Sequence, residues 1–391
     1  MMKPISYGHQ YIAESDLQAV HDTLLSDYLT QGPKIAEFEH AFARYCGVEY
    51  AVLVNNGTAA LHLAAMALGV QPGDKVITTP ITFVASANGF RYCGADIVFC
   101  DIDPETYLLD LDKLEAMLSA SPKGTYAGVV PVDFAGYPIH AERLRALADQ
   151  YGLWIVEDAC HAPGACFTDS KGVSQQTGAC HYVDMTIFSF HPVKHIATGE
   201  GGCITTNNQA LYDRLTLYRT HGITKKPDLM QENHGGWYME MIDLGYNYRI
   251  TDFQAALGIE QLKRLDWSLQ RRAEIAVKYN EEFMSLPSII TPKVEQMVKH
   301  AYHLYVIQVK HRKELYDYLH EHGVLAQVHY IPAHLMPYYR QYGWNKGDMP
   351  VAEAYYEHCL SLPMYPTLTD EEQQYVIEQV KNFVKQESVV E

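Results

Sequence analysis

Between residues 50 and 206 short apolar runs take turns with helix-forming runs, and this alternation narrows the fold more than any other feature of the chain. Tyr50–Val54, Lys75–Thr78, residues 96–100, 127–132 and 153–157, and Asp184–Phe190 read as buried strands. Helical runs at 110–119 and 140–151, and an Ala- and Leu-rich run beginning near Gly57, lie between them. A further helix is expected to open at Thr79-Pro80 and carry Phe83 near its start. Strands and helices in this order build a mainly parallel sheet covered on both faces, an α/β fold.

The 391 residues suffice for a large domain and a smaller one. Ser15-Asp16 is a plausible cap for a helix through about Leu25, and a second helix at 34–45 puts Ile35, Phe38, Phe42 and Tyr45 on one face. Thr251-Asp252 caps a long helix running to about Met284. Strand Leu304–Val309, a helix from Lys313 to His322, the segment Gln327–Pro332 and two or three final helices follow, an α+β pattern. The expected division is residues 1–250, a large domain with an N-terminal arm, and 251–391, the linking helix and a small C-terminal domain. The tail after Lys385 is expected to fray.

Charge and cysteine usage exclude several function classes. With 30 basic and 47 acidic residues the net charge is −17, the wrong sign for nucleic acid or an anionic membrane as the main partner. A local basic pocket for an anionic nucleotide is still open. No run reaches the ~20 apolar residues of a membrane span, and no charged-then-apolar leader is visible, so the expectation is a cytoplasmic protein. The eight cysteines form no CxxC pair and the 19 histidines no HExxH, so free thiols are expected and a metal is not.

Candidate chemistry gathers at three strand ends. Asp184–Phe190 leads into His191-Pro192-Val193-Lys194 and then Gly199-Glu200-Gly201-Gly202. A lysine locked where a strand gives way to a glycine turn can be desolvated enough to act as an amine nucleophile, although a solvated loop lysine reads the same way. Leu153–Asp158 is an apolar strand ending in two carboxylates, at the edge where open α/β sheets bind ligands. An acid there can pair with a protonated ring nitrogen, the arrangement that keeps pyridoxal phosphate (PLP) an electron sink. The turn Asn55-Asn56-Gly57-Thr58-Ala59 opens a helix and offers free N–H groups to a phosphate.

Glu157-Asp158-Ala159-Cys160-His161-Ala162, Ser189-Phe190-His191-Pro192-Val193-Lys194 and Gly245-Tyr246-Asn247-Tyr248-Arg249-Ile250-Thr251-Asp252 resemble the DegT-type sugar-nucleotide aminotransferases over nearly the whole chain. The Phe-His-Pro-Val-Lys wording, with Thr-Gly-Glu-Gly-Gly after it, is most similar to the branch that makes UDP-4-amino-4,6-dideoxy-N-acetyl-β-L-altrosamine on the route to pseudaminic acid. The resemblance implies the PLP-dependent aspartate-aminotransferase-like fold (fold type I). It implies that Lys194 carries the cofactor covalently and shuttles protons, that Asp158 holds the ring nitrogen, and that Gly57, Thr58, Ala59 and Ser189 hold the phosphate. Phe83 would stack on the ring and His161 would lie beside it. Many relatives have Ser-Gly-Thr where this chain has Asn56-Gly57-Thr58, a departure expected to leave the backbone cradle intact. Asn247 would reach the partner subunit's cofactor in a homodimer with shared active sites. Tyr7, Leu29, Arg249, His329 and Tyr330 would contact the sugar nucleotide.

The implied reaction moves an amino group from L-glutamate to the C4 ketone of a UDP-linked 4-keto-6-deoxy-N-acetylhexosamine. Read without the resemblance, Phe83 also fits a core position, His161 a loop filler and the N-terminal segment a docking arm. Competing functions are an aminotransferase for another nucleotide-linked keto sugar, at C4 or C3, a PLP sugar dehydratase, or a non-catalytic PLP- or sugar-binding regulator. The dehydratases carry His where this chain has Lys194. Glu200 reads as a turn residue.

Overall fold

The structure, a computed structural model, describes residues 3–390. Its centre is a seven-stranded sheet in the order Tyr50–Val54, Gly202–Thr206, Met185–Ser189, Trp154–Asp158, Gly128–Val130, Lys75–Thr78, Asp96–Phe99. Only Gly202–Thr206 runs against its neighbours; the other pairs are parallel. The register sets Gly202 against both Val54 and Ser189, and Asp158 against Ile187. The chain therefore leaves Val54, Asp158 and Ser189 at one edge of the sheet. Helices Gly57–Leu68, Ala85–Arg91, Leu111–Ser119 and Ala141–Tyr151 cover the faces, as the alternation requires.

The first N-terminal helix spans Glu14–Leu24 but is not capped at Ser15-Asp16. Its cap is Ala13, whose N–H donates to the Asp16 carboxylate at 2.8 Å. That carboxylate sits inside the first turn and also takes Gln261 Nε2 at 2.9 Å and the Arg264 guanidinium. The second helix, Pro33–Cys46, places Pro33 in its first turn and ends at Gly47 with φ +70°. Phe38 and Phe42 are fully buried against Phe188 and Phe190. The helix expected from Thr79-Pro80 starts only at Ala85, and the Pro80 carbonyl accepts Ala333 N–H at 2.8 Å.

Thr251 caps its helix as expected, in a reciprocal pair with Gln254. The helix is not continuous to Met284: it breaks at Arg264 (φ −105°, ψ 3°) into Asp252–Lys263 and Leu265–Phe283. The Arg264 guanidinium, which lies at the break, binds Ser15 and Asp16 of the first helix. The Asp252 carboxylate in turn accepts the N–H groups of Gly32 and Lys34.

A second apolar core joins Ile275, Tyr279, Phe283, Tyr305, Ile307, Leu319 and Val380 around the antiparallel sheet Ile289–Ile290, Tyr305–Val309, Cys359–Leu362. Ile5 enters this core by pairing with Val324, while Tyr339, Ala352 and Tyr355 pack back onto the large core beside Phe99 and Tyr107. The division at residue 250 is kept as a proposal, with these exchanges across it. The last helix, Asp370–Val390, carries through the stretch expected to fray after Lys385; Glu391 lies outside the described residues.

Candidate active site

The sheet edge where Val54, Asp158 and Ser189 end opens into a cleft of about 1060 Å³. Gly57, Thr58, Ala59, Phe83, Asp158, His161, Ser189 and Lys194 all line it, together with Tyr7, His329 and Tyr330. Eleven residues named from sequence thus meet in one place. Leu29, Arg249 and Asn247 do not line it; Leu29 and Asn247 are exposed elsewhere on this chain.

Asp158 is buried and held from two sides. Its Oδ1 accepts Cys160 N–H at 3.1 Å and its Oδ2 accepts Ser86 Oγ–H at 2.6 Å. Ser86 is itself 2.6 Å from Thr82 Oγ1, four residues earlier and just before the helix. Ser86 has one proton and gives it to the carboxylate, so Thr82 donates to Ser86, and the two hydroxyls form a chain ending on Asp158. Neither residue was singled out from sequence. Their spacing of four beside Phe83 is a weak signal that only the fold turns towards Asp158.

The turn at Gly57 is a cradle. A Cβ there would stand 3.1 Å from Ser189 Cβ and 3.4 Å from Cys160 Sγ, and one on Gly202 would fall 2.7–2.9 Å from the Asn56–Gly57 peptide. Asn56 caps the Gly57–Leu68 helix, and its Oδ1 accepts Ala59 N–H at 2.8 Å. The Ala59 amide is therefore engaged by the Asn56 cap in this chain. Gly57 and Thr58, in the first turn with no carbonyl behind them, and the Thr58 and Ser189 hydroxyls are the groups left for a phosphate. Phe83 is 61% exposed, with its ring 6.3 Å from that of Tyr330.

Lys194 is half-buried, and burial pulls its ammonium below the usual lysine range, with Cys160 and Asp158 opposing. Its Nζ is 3.5 Å from Nε2 of His303, a residue sequence reasoning missed. His161 Nδ1 accepts Ala135 N–H at 3.3 Å, so its proton sits on Nε2, 3.4 Å from the Tyr330 hydroxyl. Burial first, then the positive charge of Lys194, pushes His161 and His303 well below the usual histidine range and His329 to about 3. The cleft thus offers one amine, one buried carboxylate and neutral imidazoles. The Glu200 side chain is exposed, and its carbonyl takes Thr198 Oγ1 and Gln254 Nε2, a turn contact, although the residue also borders the cleft.

A buried acid, an amine and a glycine-lined helix start fit PLP: the acid for its ring nitrogen, the amine for its aldehyde, the cradle for its phosphate. Among the described residues no helix is long and apolar enough to cross a membrane.

The chain is 41% identical to the spore coat polysaccharide biosynthesis protein SpsC of Bacillus subtilis, over 97% of each chain. It is 38% identical to a UDP-4-amino-4,6-dideoxy-N-acetyl-beta-L-altrosamine transaminase of Campylobacter jejuni, over 95% of each. The structure matches that of Spr1654 from Streptococcus pneumoniae in its PLP-form with a TM-score of 0.88 and 30% identity, covering 98% of this chain and 99% of that one. Residues 10–381 match the DegT/DnrJ/EryC1/StrS aminotransferase family. The chain belongs to that family: it is a PLP-dependent sugar aminotransferase of fold type I.

Proposed function

We propose that this enzyme moves an amino group from L-glutamate to the C4 ketone of a UDP-linked 4-keto-6-deoxy-N-acetylhexosamine, giving UDP-4-amino-4,6-dideoxy-N-acetyl-β-L-altrosamine. The observation that carries the reading is the single cleft in which Lys194, Asp158 and the Gly57 turn meet. The Campylobacter relative, similar over 95% of both chains, supports this acceptor. When bound, PLP supplies an aldehyde that takes up amines and a ring that accepts the electron pair of a broken C–H bond. Lys194 would hold the cofactor and, once released, take a proton from one carbon and return it to another on the same face. Asp158, braced by Ser86, would keep a proton on the ring nitrogen. Gly57, Thr58 and Ser189 would bind the phosphate, Phe83 and His161 would flank the ring, and Tyr7, His329 and Tyr330 would orient the sugar.

The working unit in this reading is a homodimer. Asn247 is exposed and does not line its own cleft, and Leu244, Trp237 and Met241 of the same segment are exposed as well. Covering that apolar stretch with a second copy would bring Asn247 to the other copy's phosphate site. Leu29 and Arg249, outside the cleft in one chain, are assigned to the nucleotide on the same terms.

A second reading is favoured by the relative that makes spore coat polysaccharide: amination of a different nucleotide-linked keto sugar. A panel of UDP- and dTDP-linked 4-keto and 3-keto sugars, assayed with L-glutamate, separates the two. The proposal expects turnover on the UDP-linked 4-keto-6-deoxy-N-acetylhexosamine at least tenfold above every other acceptor. Preference for another sugar supports the second reading.

A further inference from the structure

The segment Ala301–Leu304 is clamped from two sides. On one side Ala301 N–H and Leu304 N–H donate to the carbonyls of Gly136 and Ala135 at 2.8 and 3.2 Å. Gly136 has φ +103°, and a Cβ on it would fall 2.8 Å from Tyr302 N and 3.1 Å from His303 N. On the other side the guanidinium of Arg272, 1% exposed, donates to the carbonyls of Tyr302 (3.0 Å), His303 (3.4 Å) and Met364 (3.0 Å). Among the described residues no carboxylate pairs with Arg272. Tyr302 adopts φ +47°, a left-handed conformation that the clamp imposes on a bulky residue.

The product of this clamp is the placement of one ring. His303, 4% exposed, lies 3.5 Å from Lys194 Nζ through Nε2, while its Nδ1 is buried with no hydrogen-bond partner among the described residues. A proton on Nδ1 would be a buried donor without an acceptor, which is costlier than a lone pair left there. The proton therefore belongs on Nε2, facing the lysine. An ammonium cannot accept it, but an amine can.

We propose that His303 is a positioning residue that donates its Nε2–H to Lys194 Nζ and so holds the released lysine as the free amine. The inference deepens the reading of Lys194 as the base and rests on it. The other groups facing the pair are Asp158 and Cys160 at the end of their strand, His161, whose ring is 4.2 Å from that of His303, His195 at 5.8 Å, His329 across the cleft, and Arg272. His195 is committed elsewhere, its Nε2–H donating to Ala301 O at 2.8 Å.

The test is competitive acetylation of the full-length, cofactor-stripped protein across pH, with the Lys194 peptide read by mass spectrometry. Wild type, His303→Phe and His303→Gln are compared. Phe fills the space without a donor, and Gln can present an amide N–H but no titratable group. The lysine midpoint should rise by about one pH unit in His303→Phe, the size of one hydrogen bond. It should stay near the wild-type value in His303→Gln. Equal midpoints in all three proteins, or a fall in His303→Phe, would overturn the proposal. Should the Phe variant not fold, ¹⁵N-histidine spectra of the wild type decide: protonated Nε2 supports it and protonated Nδ1 overturns it. Borohydride reduction after adding PLP keeps the two readings apart. A tagged Lys194 with unmoved midpoints rejects only the role of His303, whereas an untagged Lys194 rejects the reading beneath it.

Discussion

Ser86 Oγ donates to Asp158 Oδ2 at 2.6 Å, and the strand and helix carrying them are brought together only by the folded sheet. The bond is fully buried and charge-assisted, the stronger class of hydrogen bond. Its position makes Ser86 a brace for the carboxylate expected to meet the cofactor's ring nitrogen. Ser86→Ala should weaken PLP retention by about tenfold or more, matching ~1.5–3 kcal/mol for a bond to a charged group. Equilibrium dialysis of the two proteins against PLP measures it, and unchanged retention would remove Ser86 from the site.

Gly57→Ala probes the cradle. The added methyl would stand 3.1 Å from Ser189 Cβ, tight enough to push Ser189 or the turn aside. PLP retention should fall severalfold while the melting temperature of the cofactor-free protein moves by only a few degrees, about 1 kcal/mol of packing strain.

Glu157 makes stability fall with rising pH. Burial lifts its carboxyl from 4.5 to about 7, so the folded chain keeps a proton that the unfolded chain releases from about pH 4.5 upward. Its stabilising proton is fully held below pH 4.5 and is lost as pH passes 7. His329 works in the opposite sense. With its folded value near 3 against 6.5 unfolded, it costs stability as pH falls below 6.5. Glu157→Gln keeps an acceptor for the Thr186 hydroxyl, which now sits 2.8 Å from the carboxylate. The melting-temperature gap between wild type and Glu157→Gln should therefore narrow or change sign between pH 5 and pH 8. A constant gap would count against a protonated Glu157.

Arg272→Met removes a buried cation and leaves three carbonyls unpaired. Loss of about 3 kcal/mol is expected, seen as a drop of several degrees in thermal unfolding. Because the same carbonyls fix Tyr302 and His303, the variant should also loosen PLP binding.

Leu244 is 65% exposed and Trp237 76%, on the stretch assigned to a second copy. Leu244→Arg should shift the protein from dimer to monomer in sedimentation and lower PLP retention, because Asn247 would no longer reach the opposite phosphate site. A wild type that sediments as a monomer would contradict the shared-site reading.

The strand–helix alternation made the large sheet legible, because strands buried on both faces read as continuous apolar runs. Lys194, Asp158 and Gly57 were legible because each stands at a strand end or shortly after one, where sequence order already places the ligand edge. What stayed hidden depends on distance across the fold. The break at Arg264 coincides with its contact to Asp16, 248 residues away in sequence. The Pro80 carbonyl, ahead of the late-starting Ala85 helix, takes the N–H of Ala333, far along the chain. His303 sits in an unremarkable Ala-Tyr-His-Leu stretch and reaches Lys194 only through the Gly136 and Arg272 clamp. The bond from the Ala59 amide to Asn56 stayed hidden for a local reason: Asn is a favoured helix cap, but sequence alone does not turn its side chain onto a particular amide.

The central claim is that Lys194 is the amine through which this enzyme works. Absorbance spectra of wild type and Lys194→Ala, taken with PLP and again after adding L-glutamate, test it most directly. The account predicts a cofactor band in the wild type that shifts to the pyridoxamine form with glutamate, and no such shift in Lys194→Ala. A wild-type band indifferent to amino donors, or a Lys194→Ala protein that shifts as the wild type does, would contradict it.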